Sequence, residues 1–93
     1  MKTMSGPELA RKLGIPPHRG IEAVLKAKLI GAVLEETKRQ GLTHAELAKR
    51  SGLPRSAVTG ILSGSLQKIT LDRVLRLVQG AGLTAEVRVK RAA

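Results

Sequence analysis

The segment 42–63, LTHAELAKRSGLPRSAVTGILS, constrains the fold of this chain more than any other. Thr43 is followed three residues later by Glu46, which is the spacing of a capping box at a helix N-terminus. Gly52 can adopt the positive φ that a helix C-cap needs, and Pro54 suits the first position of a new helix. The segment therefore predicts two short helices joined by a tight turn at Gly52.

The apolar residues of this segment lie on one face of each predicted helix. Leu47 and Ala48 face inward from the first helix, and the small Ala48 lets the second helix cross closely over it. Val58, Ile61 and Leu62 recur at spacings of three and four in the second helix. This is the geometry of a helix-turn-helix, whose second helix enters the major groove of DNA. An ordinary αα-hairpin in a helical bundle is the alternative interpretation.

The same segment resembles the Xre/Cro-like helix-turn-helix family. The resemblance rests on the run A-E-L-A at residues 45–48, the turn at Gly52, the apolar Val58 and Ile61, and the Ser-Gly pair that follows at residues 63–64. It implies an all-α fold, a five-helix or four-helix domain that binds duplex DNA.

Charge is the strongest compositional signal. Seventeen Lys and Arg residues stand against seven Asp and Glu residues, which gives a formal net charge of +10. A surface of this kind favours a polyanion, and +10 exceeds the charge of about 2–8 that a small domain needs for solubility. The chain has no Phe, Tyr or Trp. Single-strand binders and most RNA readers stack bases on aromatic rings, so composition favours duplex DNA.

Several function classes are disfavoured. The chain has no cysteine, and His18 and His44 have no second ligand at metal spacing, so we expect no metal and no cofactor. Ser51, Ser56 and Ser63 lie in no nucleophile-elbow context, and we therefore expect no enzyme activity. No apolar run is long enough for a membrane span and the N-terminus lacks the apolar centre of a signal peptide. We expect a cytoplasmic protein of one small domain.

Residues 1–20 are predicted to form an N-terminal arm with one short helix. Ser5 and Glu8 have capping-box spacing, and the helix would run to about Leu13 before the Gly-Ile-Pro-Pro sequence at residues 14–17. The stretch ELARKLGIPP resembles ELAKRSGLPR, 38 residues downstream. A degenerate second helix-turn-helix is therefore an alternative to the arm, although the half after Pro17 lacks an apolar face in register with the first copy.

Residues 21–82 are predicted to form the DNA-binding domain. Its longest helix would span residues 21–40, with Gly41 as the residue that ends it. A further helix would run from Leu71, capped by Thr70, to about Ala81. The predicted core face of the long helix is Ile21, Val24, Leu25, Ala27, Leu29, Ala32, Val33 and Leu34. The predicted core face of the last helix is Leu71, Val74, Leu75 and Val78.

In residues 83–93 the spacing of the apolar residues changes to alternation, which predicts a dimerisation strand with a short tail. Leu83, Ala85, Val87 and Val89 alternate with polar residues, which is typical of a strand. A lone strand leaves its backbone groups unpaired, and no other stretch of the chain alternates in this way. We therefore expect the same strand of a second copy to pair with it in an antiparallel ribbon across a two-fold axis. A frayed tail is the alternative.

The second helix of the motif carries the predicted base-reading residues Arg55, Ser56 and Thr59. An Arg can bind O6 and N7 of guanine together, whereas Ser and Thr accept several bases. Gly60 leaves a neighbouring position without a side chain, which predicts a short half-site of weak discrimination. The predicted phosphate-binding residues are His44, Ser63, Ser65, Lys68 and Arg73. Solvent-exposed surface residues are the alternative for Arg55 and His44.

Residues 15–91 are also similar to one branch of the Xre-like family, the small HigA-type antitoxins. The similarity rests on Gly-Ile-Pro at residues 14–16, IEAVLKAKL at 21–29, the motif segment, TLDRVLRLV at 70–78 and the terminal strand. It implies a homodimer that represses its own operon at a duplex DNA operator and silences an RNA-cleaving toxin. Such toxins are usually basic, so the toxin is less basic here, or the contact is mainly apolar, or the protein is a stand-alone transcription regulator.

Overall fold

Five helices make up the computed structural model, which describes residues 5–64 and 69–92. In chain order they are α1 (Gly6–Leu13), α2 (Pro17–Gln40), α3 (His44–Ser51), α4 (Arg55–Leu62) and α5 (Leu71–Gly80). Within these described ranges the chain contains no strand, so the all-α class expected from the sequence is confirmed. None of the five helices has the length and the apolar run that crossing a membrane requires.

The predicted turn between α3 and α4 is confirmed. The Thr43 hydroxyl accepts a hydrogen bond from the Glu46 N–H at 3.1 Å, and the Glu46 carboxylate accepts one from the Thr43 N–H at 3.3 Å. Gly52 ends α3 with a φ of +73°, a conformation that glycine adopts without steric cost. Pro54 is the residue immediately before α4, one position earlier than predicted.

The two N-terminal helices are more extensive than the predicted arm. Helix α1 ends at Leu13 as predicted, and the Ser5 hydroxyl accepts a hydrogen bond from the Glu8 N–H at 3.2 Å. Helix α2 begins at Pro17 and not at residue 21. Proline is well suited to a first helical position, where its missing N–H costs nothing. A single helix therefore crosses the boundary placed between the predicted arm and the predicted DNA-binding domain.

A compact aliphatic core joins the C-terminal half of α2 to α3, α4 and α5. Leu47, Val58 and Ile61, all predicted to face inward, are buried, while Ala48 and Leu62 are half-buried against them. Helix α3 packs against both α4 and α5, and α2 packs against α5. The largest side chains that this core buries completely are Leu47, Leu77, Val33, Val58 and Val74. We call the whole cluster of buried side chains the central core, and its members are Ile30, Val33, Leu47, Leu53, Val58, Ile61, Ile69, Val74, Leu77, Val78 and Ala81.

The predicted core face of α2 was largely wrong. Ile21, Leu25 and Leu34 are more than 40 % exposed, and the side chains that α2 does place in the central core are Ile30 and Val33, with Leu29 half-buried beside them. Apolar residues occur almost all round this helix, so periodicity alone could not select the buried side.

The predicted core face of α5 was half wrong. Val74 and Val78 are buried, but Leu71 and Leu75 are 40 % and 44 % exposed. Leu77 and Ala81 take their places in the central core. Both sets have helical spacing and differ by a rotation of the helix, which only its packing against α2 and α3 determines.

The N-terminal hairpin, formed by α1 and residues 17–26 of α2, packs by close backbone contact. A Cβ atom placed on Gly20 would lie 2.1 Å from the Gly6 carbonyl oxygen and 2.6 Å from the Ala10 Cβ. Ala10 is 2 % exposed but lies outside the central core. Within the described chain, the extensive helix contact of α1 is with α2.

The C-terminal strand predicted for residues 83–89 is not supported. Leu83 is half-buried against the central core, and its N–H donates to the Val78 carbonyl at 3.0 Å. Residues 84–92, which we call the tail, are exposed and have no regular structure, and Val87 and Val89 are 80 % and 92 % exposed. A strand needs a partner for its backbone hydrogen bonds, and within the described residues the single chain supplies none.

Candidate nucleic-acid interface

The first two turns of α4 present three polar side chains to solvent. Arg55, Ser56 and Thr59 are all exposed, whereas Val58 of the same helix is completely buried and Ile61 is 3 % exposed. The buried pair anchors α4 in the central core, while the three polar residues stay accessible to solvent. We call Arg55, Ser56 and Thr59 the recognition face.

The N-terminus of α4 adds backbone donors next to this face. The N–H groups of Ala57 and Val58 bond the Pro54 carbonyl at 3.0 and 3.1 Å. The N–H groups of Arg55 and Ser56 have no acceptor within the helix, because the first turn contains none for them. Together with the positive end of the helix dipole and the Arg55 charge, they favour an anion at this end of α4.

His44 lies beside the recognition face, a contact that the sequence did not predict. It is the first residue of α3, it is half-buried, and its Nδ1 atom lies 2.9 Å from the Thr59 hydroxyl oxygen. The two residues are fifteen positions apart, and no spacing rule relates the first residue of one helix to the second turn of another. The structure thus joins a predicted phosphate ligand to a predicted base-reading residue.

The N-terminus of α3 is the second place where backbone donors remain. Its capping box uses the N–H groups of Thr43 and Glu46. The other first-turn donors, those of His44 and Ala45, have no acceptor within the helix. Because His44 contacts Thr59, this helix end lies close to the recognition face and can hold a phosphate next to it.

Of the remaining predicted phosphate ligands, those that the structure describes lie at two different places, the end of α4 and the first turn of α5. Ser63 is exposed at the end of α4, where its hydroxyl donates to the Gly60 carbonyl at 3.1 Å. Arg73 is exposed in the first turn of α5, and its N–H donates to the Thr70 hydroxyl at 3.3 Å. Neither hydrogen bond involves the recognition face. Ser65 and Lys68 lie outside the described residues.

Gly60 leaves open space beside the recognition face. Apart from its chain neighbours and the backbone of its own helix, a Cβ atom built on Gly60 would meet no atom within 4 Å. The packing of the protein therefore does not require a glycine there, and the gap is available to whatever α4 approaches.

The described part of the chain contains no group of three or more His, Asp or Glu residues arranged to hold a metal ion.

Around α3 and α4 the charged side chains are predominantly cationic. Arg50 donates to the Gln40 side chain at 3.4 Å, while Lys49 and Arg55 are exposed. The acidic residue within these two helices, Glu46, is held by the capping box. The surface is thus suited to binding an anion.

Comparison with known proteins agrees with this geometry. A family model described as a helix-turn-helix domain matches residues 11–90. Comparisons with curated proteins and with solved structures found no significant match. The match includes all of the central core, the recognition face and most of the N-terminal hairpin, and the chain therefore belongs to the helix-turn-helix domain family.

Proposed function

We propose that this protein is a sequence-specific transcriptional repressor that binds duplex DNA as a dimer and acts by binding, without catalysis. The observation that carries the proposal is the exposure of Arg55, Ser56 and Thr59 on a helix that the buried Val58 and Ile61 anchor in the central core. Such a helix can enter the major groove without any rearrangement of the protein. Occupation of an operator then excludes other proteins from the same DNA.

Each part of the interface has a distinct role in this proposal. Arg55 binds O6 and N7 of a guanine, a pair of hydrogen bonds that contributes about 1–3 kcal/mol of discrimination. Ser56 and Thr59 contact neighbouring base edges. His44 and the free N–H groups at the start of α3 hold a phosphate and fix the orientation of the domain on the duplex.

Selection of bound duplexes from a random pool tests the proposal directly. We expect a symmetric site whose two halves lie about one helical turn, or a multiple of it, apart. The selected duplex should then bind with a strong dependence on salt. If a dimer neutralises about 6–10 phosphates, affinity should fall by about 10³–10⁵ between about 50 and 200 mM salt. Recovery of no preferred sequence would contradict sequence-specific binding.

Arg55→Ala should relax the sequence preference more than it weakens non-specific binding. The control is Arg11→Ala, which removes the same charge from an exposed side chain of α1, outside the recognition face. Affinities of both variants are measured on the selected duplex and on a scrambled one. Equal losses on both duplexes for Arg55→Ala would make Arg55 a phosphate ligand only.

We propose that the tail supplies the dimer contact. Val87 and Val89 are largely exposed, and pairing of two tails in an antiparallel ribbon would bring the valines of the two chains together on one face and pair the backbone groups along the facing edges of the strands. Ala85 completes this contact. Leu83 is not part of the proposed dimer contact, because its side chain already packs against the central core of its own chain.

The dimer contact is tested by placing Asn at both Val87 and Val89. The control places Asn at both Arg88 and Lys90, on the other face of the same strand. Sedimentation equilibrium should report monomers for the first variant and dimers for the second. A first variant that remains dimeric would contradict the ribbon.

The resemblance to HigA-type antitoxins supports a second partner, an RNA-cleaving toxin, which we propose binds the N-terminal hairpin. That hairpin exposes Leu13, Ile21 and Leu25, at 60 %, 46 % and 42 %, and none of the three contributes to the recognition face. With a net charge of +10, attraction to a basic toxin has to come from apolar contact. A stand-alone regulator without a toxin is the alternative function.

A small reading frame of toxin size beside this one would favour the antitoxin function. Co-expression of the two then tests the surface. Leu25→Glu should abolish co-purification of the toxin and leave DNA binding intact. Leu71→Glu is the matched control, since Leu71 has nearly the same exposure but lies on α5. Loss of the toxin in both variants would place the contact elsewhere.

A further inference from the structure

The contact between His44 and Thr59 joins the two helices of the motif on their solvent side. The Nδ1–Oγ1 distance of 2.9 Å is that of a hydrogen bond. Thr59 is exposed, so its side chain remains accessible to a ligand while the contact is made. A neutral imidazole carries one N–H and one lone pair, and a hydroxyl can donate once and accept twice. Which partner donates therefore decides what the Thr59 hydroxyl can offer to DNA.

We propose that His44 is a positioning residue that makes the Thr59 hydroxyl a hydrogen-bond acceptor only, so that Thr59 selects adenine or cytosine on the strand facing α4. This inference rests on the proposed binding of duplex DNA. A phosphate oxygen has no proton to give, so His44 binds a phosphate by donating from its Nε2–H. Nδ1 then offers a lone pair, and the Thr59 hydroxyl must donate its proton to Nδ1.

The remaining lone pairs of the Thr59 oxygen can only accept hydrogen bonds. In the major groove, adenine and cytosine present amino groups that donate, whereas thymine presents O4 and guanine presents O6 and N7, all acceptors. A hydroxyl that already donates its proton to Nδ1 cannot form a second hydrogen bond to an acceptor on a base. One hydrogen bond of this kind corresponds to a preference of about 3- to 10-fold in affinity. A free Thr would show little preference, because its hydroxyl can rotate to donate or to accept.

The experiment first locates the base pair that Thr59 contacts. Thr59→Val keeps the side-chain shape and removes the hydroxyl, so the position in the selected duplex at which preference collapses is the Thr59 position. Affinities are then measured on four duplexes that differ only there. The proteins compared are the wild type, His44→Ala, His44→Asn, Thr59→Val and the double variant His44→Ala with Thr59→Val.

The wild type should prefer adenine or cytosine by about 3- to 10-fold, and His44→Ala should reduce this preference to about twofold or less. His44→Asn should retain it, because the Asn amide oxygen can accept from Thr59 near the place of Nδ1. The double variant should discriminate no less than Thr59→Val alone, since the two residues act through one hydrogen bond. A purely structural role for His44 would alter overall affinity and leave the base preference unchanged.

A spectroscopic measurement on the protein bound to the selected duplex tests the inference even if His44→Ala fails to fold. Long-range ¹H–¹⁵N spectra of the wild type at neutral pH should find the His44 proton on Nε2, and Thr59→Val should shift the Nδ1 resonance. A proton on Nδ1, an unchanged preference in His44→Ala, or a wild-type preference for thymine or guanine each overturns the inference alone. Failure of the wild type to bind any duplex overturns the proposed function and this inference together.

Discussion

Two turns of the molecule have similar sequences and similar helix caps, but the side chains around them pack differently. The turn from α1 to α2 and the turn from α3 to α4 lie 38 residues apart and have similar sequences. In each, a helix ends at a glycine in the left-handed region, Gly14 with φ +67° and Gly52 with φ +73°. A proline then precedes the next helical residue, Pro16 with ψ 146° and Pro54 with ψ 146°. Local sequence thus produces nearly the same caps twice.

The packing around the two turns differs. In the first, Ala10 is buried against the glycines of the N-terminal hairpin, while the preceding Leu9 is only half-buried. In the second, Leu47 is completely buried and Ala48 is half-buried. The first turn therefore holds two helices together by backbone proximity, and the second anchors a helix pair in the central core. Similar local sequence produces similar turns, but the surrounding elements decide which side chain is buried.

The outward faces differ as well. The positions of the first turn that correspond to Arg55, Ser56 and Thr59 are Pro17, His18 and Ile21. Only one of these three can form side-chain hydrogen bonds with base edges. The sequence similarity of the two turns therefore supports no second DNA-reading unit, in agreement with the lack of an apolar face in register after Pro17.

The largest expected effect is on stability, and it should differ between alanine substitutions at the equivalent leucines of the two turns. Leu47→Ala leaves a cavity in the central core and should lower the free energy of unfolding by about 2–5 kcal/mol. Leu9→Ala removes a half-buried side chain and should cost about 1 kcal/mol. Urea unfolding followed by circular dichroism measures both. Equal losses would mean that the hairpin is as tightly packed as the central core.

Gly20→Ala should weaken the packing of the N-terminal hairpin and leave helices α3 and α4 unaffected. The new Cβ would lie 2.1 Å from the Gly6 carbonyl oxygen, so the backbones must separate, at a cost of about 1–3 kcal/mol. Amide hydrogen exchange should become fast in α1 and stay unchanged in α3 and α4. Gly31→Ala is the control on the same helix, because its Cβ would meet nothing within 4 Å. Faster exchange throughout the chain would contradict the separation of the two regions.

Gly60→Ala should stabilise the protein by about 0.5–1 kcal/mol, because alanine loses less backbone entropy in a helix and the space is free. Gly31→Ala should stabilise by a similar amount for the same reason. Thermal unfolding measures both. Binding to the selected duplex should change in Gly60→Ala alone, since only this glycine lies beside the recognition face. Equal binding by both variants would place Gly60 away from the DNA.

The smallest effect concerns the end of α2, where a polar network reaches the central core. Hydrogen bonds from Arg39 and then Gln40 hold the pKa of Glu36 at about 2, below its ordinary 4.5. The Gln40 amide also donates to the Ala81 carbonyl at 2.9 Å, which ties α2 to the end of α5.

Because the pKa of Glu36 is lowered in the folded state, ionised Glu36 favours folding above about pH 4.5, and this contribution is lost as the pH falls towards about 2. Glu36→Gln should therefore lower the melting temperature slightly at pH 7, and the difference from the wild type should shrink on acidification. Glu35→Gln is the control, an exposed neighbour on the same helix. A difference that is independent of pH would exclude the network as its cause.

The sequence alone determined the features that depend on a few neighbouring residues. The capping box at Thr43 and Glu46, the left-handed glycine at Gly52 and the exposed recognition face were all derivable, because backbone conformation and helical spacing are local properties. The end of α1 at Leu13 followed from the same reasoning. These elements also carry the resemblance to the family to which the chain belongs.

Only the tertiary structure decided which side of α2 and of α5 is buried and what His44 contacts. Leu71 and Leu77 both satisfy helical spacing, and the packing of α5 against α2 and α3 selects Leu77 because only one rotation of a helix can fill the space between its neighbours. The hydrogen bond between His44 and Thr59 likewise depends on how α4 crosses α3. Contacts between residues distant in the chain are set by the shape of the whole core, which no local pattern encodes.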